Sequence, residues 1–239
     1  MQIVERPSPN HDARTGVVDM LILHYTGMVD QAAALARLTD PAAKVSAHYL
    51  IGEDGAVFRL VPEERRAWHA GVSYWAGHRD INGASIGIEL VNPGHEFGYR
   101  DFPPAQMEAL VALAGDIRRR HRIPDRCVLG HSDVAIGRKQ DPGERFNWQW
   151  LARRGIGLWP DFAGAPKPAG AIAPLQRDLA KFGYDCPQSG SLDEATRATV
   201  RAFQLHFRPQ HCDGTPDEET RQRAAILATA ADAITPREA

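Results

Sequence analysis

Two histidines close short apolar runs in this chain. His24 follows LIL (21–23) and His131 follows VLG (128–130). A carboxylate, Asp141, comes ten residues after the second, just before Pro142-Gly143. A polar residue at the C-terminal end of an apolar strand faces the sheet edge, where sites are commonly built. Two neutral imidazoles and one carboxylate suit zinc and leave a fourth position for water. Zinc there would polarise a carbonyl and bring the pKa of water towards neutrality. Hydrolysis also needs a base, and Glu89 is set in SIGIELVN (85–92), an otherwise apolar run. Lys139, one of four lysines, could stabilise the oxyanion that forms as water attacks a carbonyl.

Each of these residues has an ordinary structural use as well. A strand-end histidine is commonly a satisfied structural residue, Glu89 could be half of a buried ion pair, and Asp141 is a natural turn residue before Pro-Gly. Lys139 could simply be solvated. His48, His69 and His78 carry weaker signals; His11, His95, His121, His206 and His211 read as surface residues. A cysteine hydrolase built on Cys127 and His131 is a further alternative. Cys127 opens an apolar strand, however, where a free Cys behaves as a small buried hydrophobe. There is no GxSxG elbow, HExxH helix or phosphate-cradling loop. Any site is therefore assembled from distant segments.

The elements that must position these residues are legible from periodicity. Segments 17–26, 47–52, 56–61, 85–92 and 127–131 are short, apolar and β-branched, and predict strands. The second and third are joined by Glu53-Asp54-Gly55, a hairpin signal. Asp30 can cap a helix over VDQAAALARL. PAQMEALVALAGDIRRRHR places Met107, Leu110, Val111, Ala114 and Ile117 on one helical face. The expected fold is α/β, a mixed central sheet flanked by helices.

Residues 159–173 are rich in Pro, Ala and Gly and predict a semi-rigid linker between domains 1–158 and 174–239. Beyond it, Gly190-Ser191-Leu192-Asp193-Glu194 recurs as Gly214-Thr215-Pro216-Asp217-Glu218. Each copy predicts a capping box, Ser191 with Glu194 and Thr215 with Glu218, with Pro216 at the first helical position. With the stripe Leu175, Leu179 and Phe182, this gives a small three-helix domain.

The formal net charge of −2 gives no reason to expect nucleic acid or an anionic membrane, and no stretch is long and apolar enough to span a bilayer. The N-terminal residues lack an export signal. Cys127, Cys186 and Cys212 show no CxxC spacing and read as reduced thiols, although a Cys186–Cys212 bridge stays open. These features predict a cytoplasmic monomer, or a periplasmic protein if a signal has been removed.

LILHYTG, AHYLIGEDGAVFRLVPEERRAWHAG, SIGIELVN and GHSDVAIGRKQDPG, in that order, resemble the zinc-dependent N-acetylmuramoyl-L-alanine amidases. This is the amidase-2 family, whose fold is shared with peptidoglycan recognition proteins. The resemblance covers about residues 15–152. It implies His24, His131 and Asp141 as ligands of one catalytic zinc, Glu89 as the base and Lys139 as the oxyanion stabiliser. WHAGVSYW (68–75) with Asn82 looks like the family's substrate-lining region, so His69, then Trp68 and Asn82, are the expected substrate contacts. The substrate would be the lactyl–L-Ala amide of a muropeptide. Residues 172–233 resemble the three-helix peptidoglycan-binding domain, which implies polymeric wall as ligand. The missing export signal instead favours recycling of soluble 1,6-anhydromuropeptides. Exported action on intact peptidoglycan, or recognition without cleavage, are the alternatives.

Overall fold

Apolar runs bounded by turn residues become short strands that pair side by side within one sheet. The computed structural model describes residues 2–159, 161 and 170–232. The strands are β1 (Ile3–Glu5), β2 (His11–Ala13), β3 (Met20–Tyr25), β4 (Tyr49–Ile51), β5 (Val57–Arg59), β6 (Arg65–Ala67), β7 (Ser85–Leu90) and β8 (Val128–Gly130). The helices are α1 (Gln31–Thr39), α2 (Ile81–Ala84), α3 (Gly94–Phe97), α4 (Pro104–Arg120), α5 (His131–Val134), α6 (Trp148–Ala152), α7 (Ile172–Phe182), α8 (Glu194–Phe207) and α9 (Glu218–Asp232).

Six strands form a mixed sheet in the order β1-β5-β4-β7-β3-β8. Only the predicted hairpin β4–β5 is antiparallel; the other neighbours are parallel. β3 is an interior strand, paired with β7 and β8, and is buried along its length up to Tyr25, as an uninterrupted apolar run requires. The mixed α/β sheet flanked by helices is the expected architecture. β1, β2 and β6 are additional, and RRA or HDA carries no apolar alternation that could announce a strand. Side chains alternate across the sheet. Tyr49 and Ile51 join the core that holds α4, whereas Leu50 joins α1 on the opposite side. Asp30 caps α1 as predicted, accepting from the Ala33 N–H at 2.8 Å. On α4 the buried face is Met107, Leu110, Leu113, Ala114 and Ile117; Val111 is only half-buried.

The end of α4 is pinned to the sheet by Glu63, which accepts from Arg120, from His121 and from the Tyr49 hydroxyl at 2.7 Å. Burial pushes the Glu63 carboxyl up, but these donors outweigh it and hold it at about 2. The contribution is therefore complete above the ordinary value of 4.5 and is lost as pH falls towards 2. Glu63→Gln is expected to remove roughly 1–2 kcal/mol at neutral pH, allowing for solvent screening. Urea unfolding at pH 7, 4.5 and 2.5 checks this: the gap between wild type and variant should close as pH falls. A gap independent of pH would contradict it.

The repeat folds differently from its predicted capping boxes. α8 and α9 start after Asp193 and Asp217, whose carboxylates accept from the N–H groups of Thr196 (2.8 Å) and Thr220 (2.9 Å). Ser191, Thr215 and Pro216 all precede the caps. A buried glutamine on the preceding helix explains why. Gln176 accepts from Gly190 N–H and donates to the Ser191 carbonyl and Thr196 hydroxyl. Gln204 does the same with Gly214, Thr215 and Thr220. The loop backbone is thus clamped before the helix begins, and a carboxylate closer to the helix takes over as cap. Residues 160 and 162–169, most of the predicted linker, lie outside the described residues; Ile172 and Ala173 already belong to α7.

The three C-terminal helices share one apolar core with the sheet domain. Trp75, fully buried, meets Phe182 and Tyr184 edge-on at 5.6 and 5.0 Å. Gly183 is required at this junction, because a Cβ there would come within 2.7 Å of the Trp75 ring.

Candidate active site

β7, β3 and β8 run parallel, so their C-terminal ends open on the same edge of the sheet. His24 lies near the end of β3, Glu89 is its register partner on β7, and His131 follows β8 directly. Asp141 returns to this edge through a cis Asp141–Pro142 turn. Ser132 N–H donates to the Asp141 carbonyl at 2.9 Å and the Tyr99 hydroxyl to the Pro142 carbonyl at 2.6 Å. His24 Nδ1, His131 Nδ1 and Asp141 Oδ2 converge, separated by 3.0, 3.0 and 3.1 Å, and all three residues are buried.

The hydrogen bonds behind this cluster assign its protons. His131 Nε2–H donates to the Ala70 carbonyl at 3.1 Å, leaving Nδ1 as a lone pair. His24 Nε2–H can donate to His69 Nδ1 (3.1 Å), whose Nε2–H faces Ser85 Oγ at 3.3 Å. Ser85 in turn donates to the Ile81 carbonyl at 2.5 Å. Burial and the neighbouring His131 lower His24 to about 4, so its ring is neutral. Two imidazole lone pairs and a carboxylate oxygen point at one another with no donor between them. That arrangement is stable around a small divalent cation, and the outer hydrogen bonds are those that orient histidine ligands. The cluster is the one group of this kind among the described residues.

Glu89 makes no side-chain hydrogen bond among the described residues, and its Oε2 is buried without a partner. Burial, and then the Asp141 charge, push its carboxyl well above the usual range, opposed by Lys139. Lys139 is exposed and lines a cleft of about 870 Å³ that also reaches Asp141.

The three expected substrate contacts sit elsewhere. His69 is buried behind His24, and its ring fills the space left by Gly87, where a Cβ would come within 2.5 Å. Asn82 is buried and accepts from the N–H groups of His69 and Ala70. Trp68 donates its indole N–H to Asp12 at 3.2 Å, beside the β2–β6 ribbon. None of the three lines the cleft. We read His69 and Asn82 as holding His24 and the 69–70 backbone in place. Cys127 is buried, and burial raises its thiol, which disfavours the thiolate a cysteine hydrolase needs.

Comparison with known proteins places this geometry. The family model described as N-acetylmuramoyl-L-alanine amidase matches residues 14–144, which include His24, Glu89, His131, Lys139 and Asp141. The chain belongs to the N-acetylmuramoyl-L-alanine amidases. A peptidoglycan binding domain model matches residues 169–223 of the amidase. The N-acetylmuramoyl-L-alanine amidase AmiD of Escherichia coli (strain K12) is 41% identical over 230 residues, covering 88% of this chain and 82% of that protein. The 1,6-anhydro-N-acetylmuramyl-L-alanine amidase AmpD of the same strain is 34% identical over 161 residues, 59% of this chain and 86% of that protein. A solved complex of E. coli AmiD with anhydro-N-acetylmuramic acid-L-Ala-D-γ-Glu-L-Lys superposes with a TM-score of 0.80, at 38% identity, covering 92% of each chain.

One group near the amidase site escaped the sequence reading. Asp133, two residues after His131 and fully buried, accepts from Gly130 N–H (2.7 Å), the Tyr184 hydroxyl (2.6 Å) and His206 Nδ1–H (2.8 Å). His206, expected at the surface, is 2% exposed and stacks on Trp148 with centroids 3.7 Å apart. Two of the three donors come from the C-terminal domain. Its helical position gave no sign of this, because the partner carboxylate lies 73 residues away in sequence.

Proposed function

We propose that the amidase hydrolyses the lactyl–L-alanine amide of 1,6-anhydromuropeptides with one zinc ion, in peptidoglycan recycling. The observation that carries this is the convergence of His24, His131 and Asp141 beside an unpartnered Glu89. His24, His131 and Asp141 would hold the zinc. When bound, zinc supplies Lewis acidity, polarising the scissile carbonyl and making water a competent nucleophile near neutral pH. Glu89 takes a proton from the attacking water and returns it to the alanine nitrogen as the C–N bond breaks. Lys139 offers an N–H to the oxyanion on the carbonyl. His69 fixes the orientation of the His24 ring. The substrate class is supported by the AmpD relative and by the anhydro sugar in the AmiD complex. No helix among the described residues is long and apolar enough to cross a membrane. Three free cysteines fit a reducing, cytoplasmic compartment. The match to a peptidoglycan binding domain favours a second reading, action on intact peptidoglycan.

Zinc-loaded protein incubated separately with soluble anhydromuropeptide and with intact sacculi, with products read by mass spectrometry, decides between them. The soluble fragment is expected to split into anhydro sugar and free peptide. A chelator should abolish cleavage and added zinc should restore it. Strong release of peptides from sacculi would move the substrate to intact wall. Binding of either without cleavage would leave a recognition protein.

A further inference from the structure

The cleft beside the ligand cluster has a second wall that the reaction above does not use. α8 belongs to the C-terminal domain, yet Arg197, Ala198, Arg201 and Leu205 line the same cleft as Lys139 and Asp141. Arg197 and Arg201 are one turn apart and share a helical face. Both are exposed, and neither guanidinium hydrogen-bonds or pairs with a carboxylate among the described residues. Arg208, just past the end of the same helix, is by contrast tied to Asp217 and Glu219. Arg37 of α1 faces the cleft from the catalytic domain. Among the described residues no hydrogen bond or ion pair ties the Arg197 and Arg201 side chains to the fold, and the cleft they line carries Arg37 and Lys139 as well as Glu96, Glu194 and Asp213.

We propose that Arg197 and Arg201 form a subsite for the free carboxylates of the stem peptide, so that the C-terminal domain takes part in selecting substrate. This rests on the amidase reading. A stem such as L-Ala-D-γ-Glu-L-Lys, present in the AmiD complex, keeps a free α-carboxylate on its γ-linked Glu and another at its end. The first lies about two residues, ~7 Å, from the scissile amide. Lys139, Asp141 and both arginines line one cleft of about 870 Å³, so the scissile amide and the stem carboxylates would share that space. Guanidinium forks bind carboxylates bidentately, and in a partly enclosed cleft such pairs are stronger than on open surface. The subsite acts on the ground state and the transition state alike, because the carboxylates do not change during the reaction.

The test compares wild type with the Arg197→Ala/Arg201→Ala double variant on two soluble anhydromuropeptides, one with free stem carboxylates and one with those groups amidated. The variant is expected to raise KM for the acid stem about tenfold or more with kcat within about twofold, the pattern of lost uniform binding. On the amidated stem the two proteins should have the same KM, and Arg197→Lys/Arg201→Lys should recover part of the loss. Unfolding midpoints should match, since both side chains are exposed. A wild-type KM in the double variant, or equal losses on both stems, overturns the subsite. If wild type cuts neither stem, the amidase reading fails and the subsite with it; failure of the subsite alone leaves wild-type cleavage intact.

Discussion

Glu89→Gln is expected to lower kcat/KM for the muropeptide amide by about 10²–10⁴-fold, the usual scale of general acid–base catalysis. That corresponds to about 3–5 kcal/mol of transition-state stabilisation. Glutamine keeps the shape and the position opposite His24, but it can neither take the proton of water nor return it to the alanine nitrogen. No hydrogen bond is lost, because the Glu89 carboxyl makes none among the described residues and its Oε2 is buried without a partner. Burial already disfavours its charged form, so removing the charge should leave the unfolding midpoint equal or higher. Zinc content should stay at one ion per chain, since the ligand cluster is untouched. The measurement is steady-state hydrolysis alongside metal analysis and thermal unfolding. A zinc-replete Glu89→Gln protein within tenfold of wild-type activity would remove Glu89 from the reaction. This combination of lost turnover with retained metal and stability separates a base from a ligand or a structural acid.

The largest stability effect is expected at Asp133. Asp133→Ala strands three buried donors: Gly130 N–H, the Tyr184 hydroxyl and His206 Nδ1–H. Breaking a buried polar pair by removing one partner costs about 3–5 kcal/mol. For a chain of this size that lowers Tm by roughly 10 °C. Tyr184→Phe and His206→Ala each leave Asp133 two partners and should cost about 1–3 kcal/mol. Because all three side chains meet at one carboxylate, the double variant Asp133→Ala/His206→Ala should fall well short of the sum of its parts. Urea denaturation of the four proteins measures this. A loss under about 1 kcal/mol for Asp133→Ala, or simple additivity, would show that the Asp133 cluster does not hold the two domains together. The expected result makes the C-terminal helices part of the scaffold that carries His131.

Local pattern determined much of this protein. His24 and His131 announce themselves as polar residues ending apolar strands, and Glu89 as a carboxylate in an apolar run. The hairpin at Asp54-Gly55 and the cap at Asp30 follow from short-range chemistry that any context would preserve. What only the tertiary structure decided are the pairings between distant residues. Sequence spacing cannot say that His69 stands behind His24 and not in the cleft, because this depends on the room left by Gly87 on a strand 18 residues later. Nor can it place the caps at Asp193 and Asp217, which follow from Gln176 and Gln204 clamping the loops first. His206 looks like one polar residue on an amphipathic helix until Asp133 and Trp148 are brought against it. The same docking sets Arg197 and Arg201 beside Lys139. Periodicity reports which face of an element is buried, whereas the partner across the interface is chosen by how whole elements pack.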